Sequence, residues 1–349
     1  MKFSAIEYAL PTKAVTNSDV LEKIRAQSAK HLSPQELETL LEMTETCFQS
    51  TKTRIRYHRG ENEHACLLGV EAGKKALMAS GLRPEDIDLL IYVGIGKGMI
   101  EPASANIFLD LLGFKNATGF DVLDACASWL RALHLAQLFL STGTHKRIMI
   151  LNAECVGRDC HRYELKSLAE FAHWHPSVTI GEAASATILE ASESDQMHFD
   201  FRTWGDKRDL CFVPLPNFEG YFGKAVDPAL DWKPLQFFSY GIRLMEFGAE
   251  KMIEHYRSKP EFSEYVPDLV FGHAASDGMS EYVVERCGIP KEKFQFTHHL
   301  FANTISASVP VAMSAAMKSG KLRDNVKILI LFASAGVTTA LARFQFQSK

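Results

Sequence analysis

Cys126 is the residue best placed by type and context to form a covalent intermediate. It lies in GFDVLDACASWLRALHLAQLFLSTG, where an apolar strand ending near Leu123 gives way to small residues and then to a helix starting close to the cysteine. Backbone N–H groups at a helix start are unpaired, and the helix dipole is positive there. Both effects favour a thiolate and predict a lowered thiol pKa. Ala125, Ala127 and Ser128 leave room for a substrate beside the sulfur. Most cysteines are small buried hydrophobes, and local sequence alone does not separate Cys126 from them.

Two further segments change that balance. His273, in VFGHAASDG, follows a run of strand residues, and ligands collect at the C-terminal ends of strands in open α/β sheets. Asn303, in HLFANTISASVP, precedes small residues that lead into a helix. By itself it reads equally as a helix N-cap. Cysteine, a nitrogen base and an amide donor together suit covalent acyl transfer.

The elements that must position these three come in two similar sets. KKALMASGLRPEDIDLLIYVG reads as helix, Gly stop, Pro-containing turn and buried strand, and EKMIEHYRSKPEFSEYVPDLVFGH repeats that order. Each is followed by a helix, a connecting segment, a long helix ending at glycine (Gly143, Gly320) and a second apolar strand, KRIMILNAE or VKILILFAS. Cys126 to Gly143 and Asn303 to Gly320 both span 17 positions, and Asp88 to Ile148 and Asp268 to Ile328 both span 60. This duplication predicts two pseudo-equivalent α/β halves with parallel-rich sheets covered on both faces. It also predicts that Asn303 occupies the position matching Cys126, so that the two helix starts face each other. The halves are expected to cover residues 1–195 and 196–349. Two segments lack a counterpart, Glu22 to Cys47 and Gly157 to Pro176, and are expected to cap the site.

Composition narrows the function classes. The 349 residues are 46% hydrophobic and 23% charged with a net charge of -4, an ordinary globular make-up without the basic excess that nucleic acid would call for. The N-terminal stretch lacks the pattern of a signal peptide, and no apolar run reaches the length of a membrane span. Seven scattered cysteines indicate a reduced, cytoplasmic protein without a disulfide framework. Cys155, Cys160 and His161 lie close together but lack zinc spacing, so no metal site is expected. No GxGxxG follows a strand, which sets a dinucleotide enzyme aside.

Over nearly its whole length the chain resembles the β-ketoacyl-acyl carrier protein synthase III-like condensing enzymes of the thiolase superfamily. The resemblance rests on TRIRYHRGENE, FDVLDACAS, IGEAASATIL, FGHAASDG, FANTISASVPVAM and FASAGVTTALARF. It implies an α/β, five-layered αβαβα thiolase fold, a homodimer and ping-pong chemistry. No cofactor is implied beyond CoA or phosphopantetheine thioesters, which are the substrates, so acyl-CoA or acyl carrier protein is the expected partner.

The implied roles are these. Cys126 takes the acyl group, and its backbone N–H and one near Gly336 form the oxyanion hole, each donor worth roughly 2.7–4 kcal/mol. His273 and Asn303 bind the thioester oxygen of the second substrate, whose carbanion attacks the acyl-cysteine. Lys52 and Phe48 stand where the family contacts the CoA phosphates and adenine.

Departures point to a specialised relative, in fatty-acid-like or polyketide secondary metabolism. His273 is followed by Ala274, Ala275, Ser276 and Asp277, where the family carries Gln-Ala-Asn and then a base, and Asp277 has the wrong sign to greet a carrier. The glycine-rich turn is reduced to Ser334, Ala335 and Gly336. Glu101, in GMIEPASAN, resembles the glutamate of olefin-pathway enzymes that join two acyl-CoAs. There it reaches the partner subunit's site and removes the α-proton, a step needed when no carboxylate is lost. The competing expectations are acyl transfer from Cys126 to an alcohol or amine, and a specialised subunit of a heterodimer.

Overall fold

Strands buried on both faces set the architecture. The computed structural model describes residues 1–156, 161–192, 196–223 and 233–348. Strand β6 (Arg147–Glu154) turns Ile148 and Ile150 into one core and Met149 and Leu151 into another. Such a strand must be covered on both sides.

The first sheet has the order β1-β7-β6-β4-β5, built from β1 (Lys2–Ala9), β4 (Leu89–Val93), β5 (Thr118–Val122), β6 and β7 (Ala183–Glu190). The second has the order β11-β12-β13-β8, built from β8 (His198–Thr203), β11 (Leu269–Gly272), β12 (Lys327–Ser334) and β13 (Thr338–Gln345). Two small ribbons complete the strands: β2 (Lys13–Thr16) with β3 (Ile55–His58), and β9 (Cys211–Phe212) with β10 (Phe238–Ser239).

The helices are α1 (Asn17–Ser28), α2 (Pro34–Thr51), α3 (Ala65–Ser80), α4 (Ala105–Leu111), α5 (Ser128–Ser141), α6 (Gly241–Arg257), α7 (Asp277–Arg286) and α8 (Ser308–Lys318), with shorter turns between them. Helices α5 and α8 lie between the sheets, where Trp129, Leu133, Val309 and Met313 fill the central core. Helices α3 and α4 cover the outside of the first sheet, and α6 and α7 the outside of the second. The result is five layers, as the resemblance implies. Among the described residues, no helix is long and apolar enough to cross a membrane.

The duplication survives in the hydrogen-bond register. Strand β4 pairs β6 in parallel with Leu89 opposite Ile148, and β11 pairs β12 in parallel with Leu269 opposite Ile328. Asp88 accepts from the Lys146 and Arg147 N–H groups, and Asp268 from that of Lys327. The first sheet takes its strands from residues 2–190 and the second from 198–345. The expected junction at 195/196 touches residues 193–195, outside the described residues.

The match of Asn303 to Cys126 is corrected. It was anchored on the Gly stops, but α5 has 14 residues and α8 has 11. Anchored on the helix starts, the counterpart of Cys126 is Ser306. Ala127 and Ala307 are the two N-caps. Ala125 (φ 45) and Ile305 (φ 53) adopt the same left-handed backbone. Ser128 Oγ donates to Ala125 O at 2.6 Å, and Ser308 Oγ to Ile305 O at 2.7 Å. Asn303 lies three positions ahead of that turn.

Candidate active site

Strand β5 delivers the chain to a tight turn at Leu123–Ala125, and the turn presents Cys126 ahead of α5. Ala125 is held left-handed, a conformation that costs a non-glycine residue roughly 1–2 kcal/mol. Its surroundings enforce it. The Ala127 N–H donates to Asp124 O at 2.9 Å, and the Asp124 N–H to Ser128 Oγ at 2.8 Å. The Asp124 carboxylate pairs with Arg131 at 2.9 Å, and Arg131 lies over the Phe201 ring at 3.7 Å.

Cys126, His273 and Asn303 line one cavity of about 350 Å³. His273 follows the last residue of β11 and stacks on Phe332 with ring centroids 5.1 Å apart. Burial lowers its pKa to about 3, with the neighbouring His298 acting in the same direction, so the ring is neutral. Its Nδ1 lies 3.1 Å from Ser308 Oγ. The Ser308 hydroxyl has one proton and two claimants, Ile305 O and His273 Nδ1. Given to Ile305, it makes Nδ1 the donor and leaves Nε2 an acceptor. Given to Nδ1, it makes Nε2 the donor.

Asn303 is pinned by its main chain. Its N–H donates to Thr179 O and its carbonyl accepts from the Gly181 N–H, both at 2.9 Å. Its Oδ1 accepts the Ile305 N–H at 2.9 Å, so the amide NH2 is left for the cavity.

The thiol corrects one expectation. Burial pushes the Cys126 pKa up, and the nearby Cys211 thiol and Glu154 carboxylate add to the rise. Ser334 and the Ala335 N–H hydrogen-bond the sulfur and act the other way. Cys126 precedes the first residue of α5 by two positions, and its burial opposes the charged form. Cys126 is half-buried and lines the cavity. In the turn after β12 the Ala335 N–H reaches the sulfur, and the neighbouring Gly336 does not itself line the cavity.

The remaining predicted residues fall elsewhere. Phe48 is 3% exposed in the α1–α2 core, with the Arg56 guanidinium 4.9 Å from its ring centre, so no face is open for an adenine. That assignment is withdrawn. Lys52 is exposed and bonds Glu281 at 2.5 Å. Glu101 is exposed and does not line the cavity of its own chain. Asp277 is buried and accepts from the His298 and His299 N–H groups, both at 3.1 Å. It braces the segment leading to Asn303, and its charge is not displayed to a carrier. Trp129, Phe171 and Trp174 are core. Among the described residues no group of three His, Cys, Asp or Glu could hold a metal, and Cys160 lies outside the described residues.

Both asymmetric segments reach the cavity, through Cys47 of α2 and through His175 and Pro176. A third wall, made by Cys211, Phe212, Val213, Phe237 and Ser239, was not foreseen. Sequence reasoning also passed over Glu154, the last residue of β6. It is fully buried and accepts from Ile95 N (3.3 Å), Gly96 N (3.0 Å), Ser306 N (3.3 Å) and Ser306 Oγ (2.5 Å). A Cβ on Gly94, whose φ is +106, would lie 2.2 Å from its Oε1, so only glycine fits. A carboxylate closing an apolar strand was the available signal. His175, 4% exposed, donates Nδ1–H to Phe171 O at 2.9 Å and keeps Nε2 as an acceptor beside Gly241.

Comparison with known proteins places the chain among one family of enzymes. The families described as 3-oxoacyl-[acyl-carrier-protein (ACP)] synthase III and its C-terminal region match residues 120–205 and 264–346. The chain is 30% identical over 318 residues to a β-ketoacyl-[acyl-carrier-protein] synthase III of Clostridium perfringens, covering 88% of this chain and 93% of that one. To a Listeria monocytogenes protein of the same name it is 28% identical over 336 residues, covering 94% and 93%. The 3-oxoacyl-[acyl-carrier-protein] synthase III of Aquifex aeolicus superposes with a TM-score of 0.79 at 25% identity, covering 99% of both chains. OleA of Xanthomonas campestris, solved with lauric acid and lauroyl-CoA, superposes with a TM-score of 0.81 at 18% identity over 98% of each chain. That second likeness concerns the fold.

Proposed function

The chain belongs to the β-ketoacyl-[acyl-carrier-protein] synthase III family of condensing acyltransferases, and on that premise we propose that it loads an acyl group onto Cys126 and joins it to a second acyl thioester. The observation that carries this is the single cavity shared by Cys126, His273 and Asn303. In loading, the sulfur attacks the thioester carbonyl of an acyl-CoA or acyl carrier protein. The carbon–sulfur bond to the donor breaks, and the donor leaves as a thiol carrying the Cys126 proton. In condensation, the second thioester binds with its oxygen at His273 Nε2 and the Asn303 NH2. This requires the Ser308 proton on Nδ1, so that Nε2 donates. The α-carbanion, formed by loss of CO2 or of a proton, attacks the acyl-cysteine. A carbon–carbon bond forms and the thiolate departs.

We place this activity in the cytoplasm and in a specialised pathway of fatty-acid-like or polyketide type. A homodimer is supported by the open edge of the first sheet. Strand β5 ends that sheet, and Ile100, Leu123 and Leu138 around it are 74%, 60% and 48% exposed. Glu101 neighbours Ile100 on this surface, and a base role for it therefore belongs to a partner copy's cavity.

Incubation with acyl-CoAs of graded length should add one acyl mass to the intact protein, and Cys126→Ala should abolish the adduct. Product mass spectrometry with malonyl and simple acyl-CoAs as second substrate then separates decarboxylative from proton-abstracting condensation. Absence of any adduct from acyl-CoA and acyl carrier protein alike would refute the reading.

A further inference from the structure

The nucleophile's burial opposes its ionisation, and the groups around it give little relief. Glu154 at the end of β6 and Cys211 in β9 disfavour a negative sulfur. His273, beyond β11, is neutral. The Asp124 carboxylate is committed to Arg131. What remains is the end of β12, with the Ala335 N–H and the Ser334 hydroxyl.

Ser334 is 4% exposed and reaches across from the second half to the turn that carries Cys126. Its Oγ accepts the Ala127 N–H at 3.2 Å and donates to Asp124 O at 3.3 Å, so one hydroxyl grips the chain on both sides of the cysteine. The other half supports the same pairing. Strand β6 is the counterpart of β12, with Ile148 matching Ile328, so Glu154 and Ser334 are equivalent positions. Glu154 bonds the N–H and hydroxyl of Ser306, the counterpart of Cys126. In both halves the last residue of this strand serves the turn ahead of the central helix.

We propose that Ser334 is a catalytic residue of the loading step: its hydroxyl clamps the Cys126 turn, is shared in the resting enzyme between Asp124 O and the sulfur, and moves fully onto the sulfur as negative charge develops there. No proton leaves Ser334. The hydroxyl exchanges one acceptor for another, while the Cys126 proton goes to the departing thiol. The role rests on the loading reaction proposed above only for its biological meaning, since the sulfur's ionisation can be read without substrate.

The test is alkylation of Cys126 by iodoacetamide across neutral pH, followed on the Cys126 peptide by mass spectrometry in wild type, Ser334→Ala, Ser334→Gly and Ser334→Thr. Below the thiol pKa the rate follows the thiolate fraction. A hydrogen bond to a charged acceptor is worth enough to slow Ser334→Ala about tenfold at every pH, equivalent to a rise of about one pKa unit. Ser334→Gly should match it, and Ser334→Thr should restore most of the rate. A purely structural clamp predicts the opposite sign, because a loosened turn exposes the sulfur and speeds its modification. Wild-type or faster rates in the alanine and glycine variants, or no recovery with threonine, overturn the proposal. If wild type takes up no acyl group while Ser334→Ala still slows alkylation, the loading reading falls and the stabilisation of the charged sulfur by Ser334 stands. If acyl loading and alkylation both proceed normally in Ser334→Ala, the reverse holds.

Discussion

Replacing Glu154 with glutamine keeps its shape and disturbs only its proton pattern. The carboxylate takes three donors on Oε1, from Ile95 N, Ser306 N and Ser306 Oγ, and one on Oε2, from Gly96 N. Glutamine best keeps the first three with its oxygen, which turns its NH2 against the Gly96 N–H. One buried donor then faces another, at a cost of about 1–3 kcal/mol. Glu154→Ala leaves all of these donors unmet and should cost more, about 3–5 kcal/mol, as when a buried charged partner is removed. The catalytic effect should be one-sided. Glu154 holds the turn next to Asn303, so condensation should fall about tenfold for each 1.4 kcal/mol of lost positioning. Loading should hold steady or quicken, because Glu154 disfavours the Cys126 thiolate. Urea unfolding measures the first quantity, product formation the second and the intact acyl-enzyme mass the third. Stability within about 0.5 kcal/mol of wild type, or loading that drops in step with condensation, would refute this account of Glu154.

Ser308→Ala removes the group that can set His273 Nε2 as a donor; losing an oxyanion donor should slow condensation roughly 100-fold while acyl loading on Cys126 continues, measured on the same two mass-spectrometric readouts. Phe48→Ala should lower stability by roughly 3–5 kcal/mol in urea unfolding and leave the acyl-CoA KM unchanged, because the ring is core. Burial holds His58 and His298 near pKa about 4 and His273 near about 3, below the ordinary 6.5. Their folded values are depressed, so the stability they contribute is complete above the unfolded pKa and is lost as pH falls from there through the folded values. Melting temperature should therefore begin to drop near pH 6.5, before carboxylates titrate; a Tm that stays flat down to pH 5 would contradict the buried neutral histidines.

Elements with strict periodicity were legible in the sequence, and those set by side-chain exchange across the two halves were not. Asp88 and Asp268 open equivalent strands and bond equivalent N–H groups, so a 60-residue interval sufficed to find the duplication. The central helices were equally clear, but their unequal lengths misplaced Asn303 by three positions. The three site residues share a cavity because they follow strand ends or flank a helix start, which spacing reveals. The sulfur's ionisation was misjudged because desolvation depends on everything packed around the turn, including the unforeseen wall at Cys211 and Phe212. Phe48 could not be assigned from its position, since the same spacing serves a core ring and a surface ring. Only packing under Arg56 decides.

The two halves show what separates a nucleophile from its inert counterpart. Both present a small polar side chain, Cys126 or Ser306, just after a left-handed residue and ahead of a central helix. Both receive the last residue of an equivalent strand, Ser334 or Glu154. In the second half the longer carboxylate fills the space, takes the Ser306 hydroxyl and ties it to the Gly94–Gly96 turn; Ser306 is 1% exposed and has no path to substrate. In the first half the shorter serine stops at the backbone on either side of Cys126, and the room left over is the cavity. Opening one site and closing the other thus follows from side-chain length at one strand position. The closed site is not idle. Its turn carries Asn303 three residues upstream, so the residue that plugs it also holds the donor used by the open one.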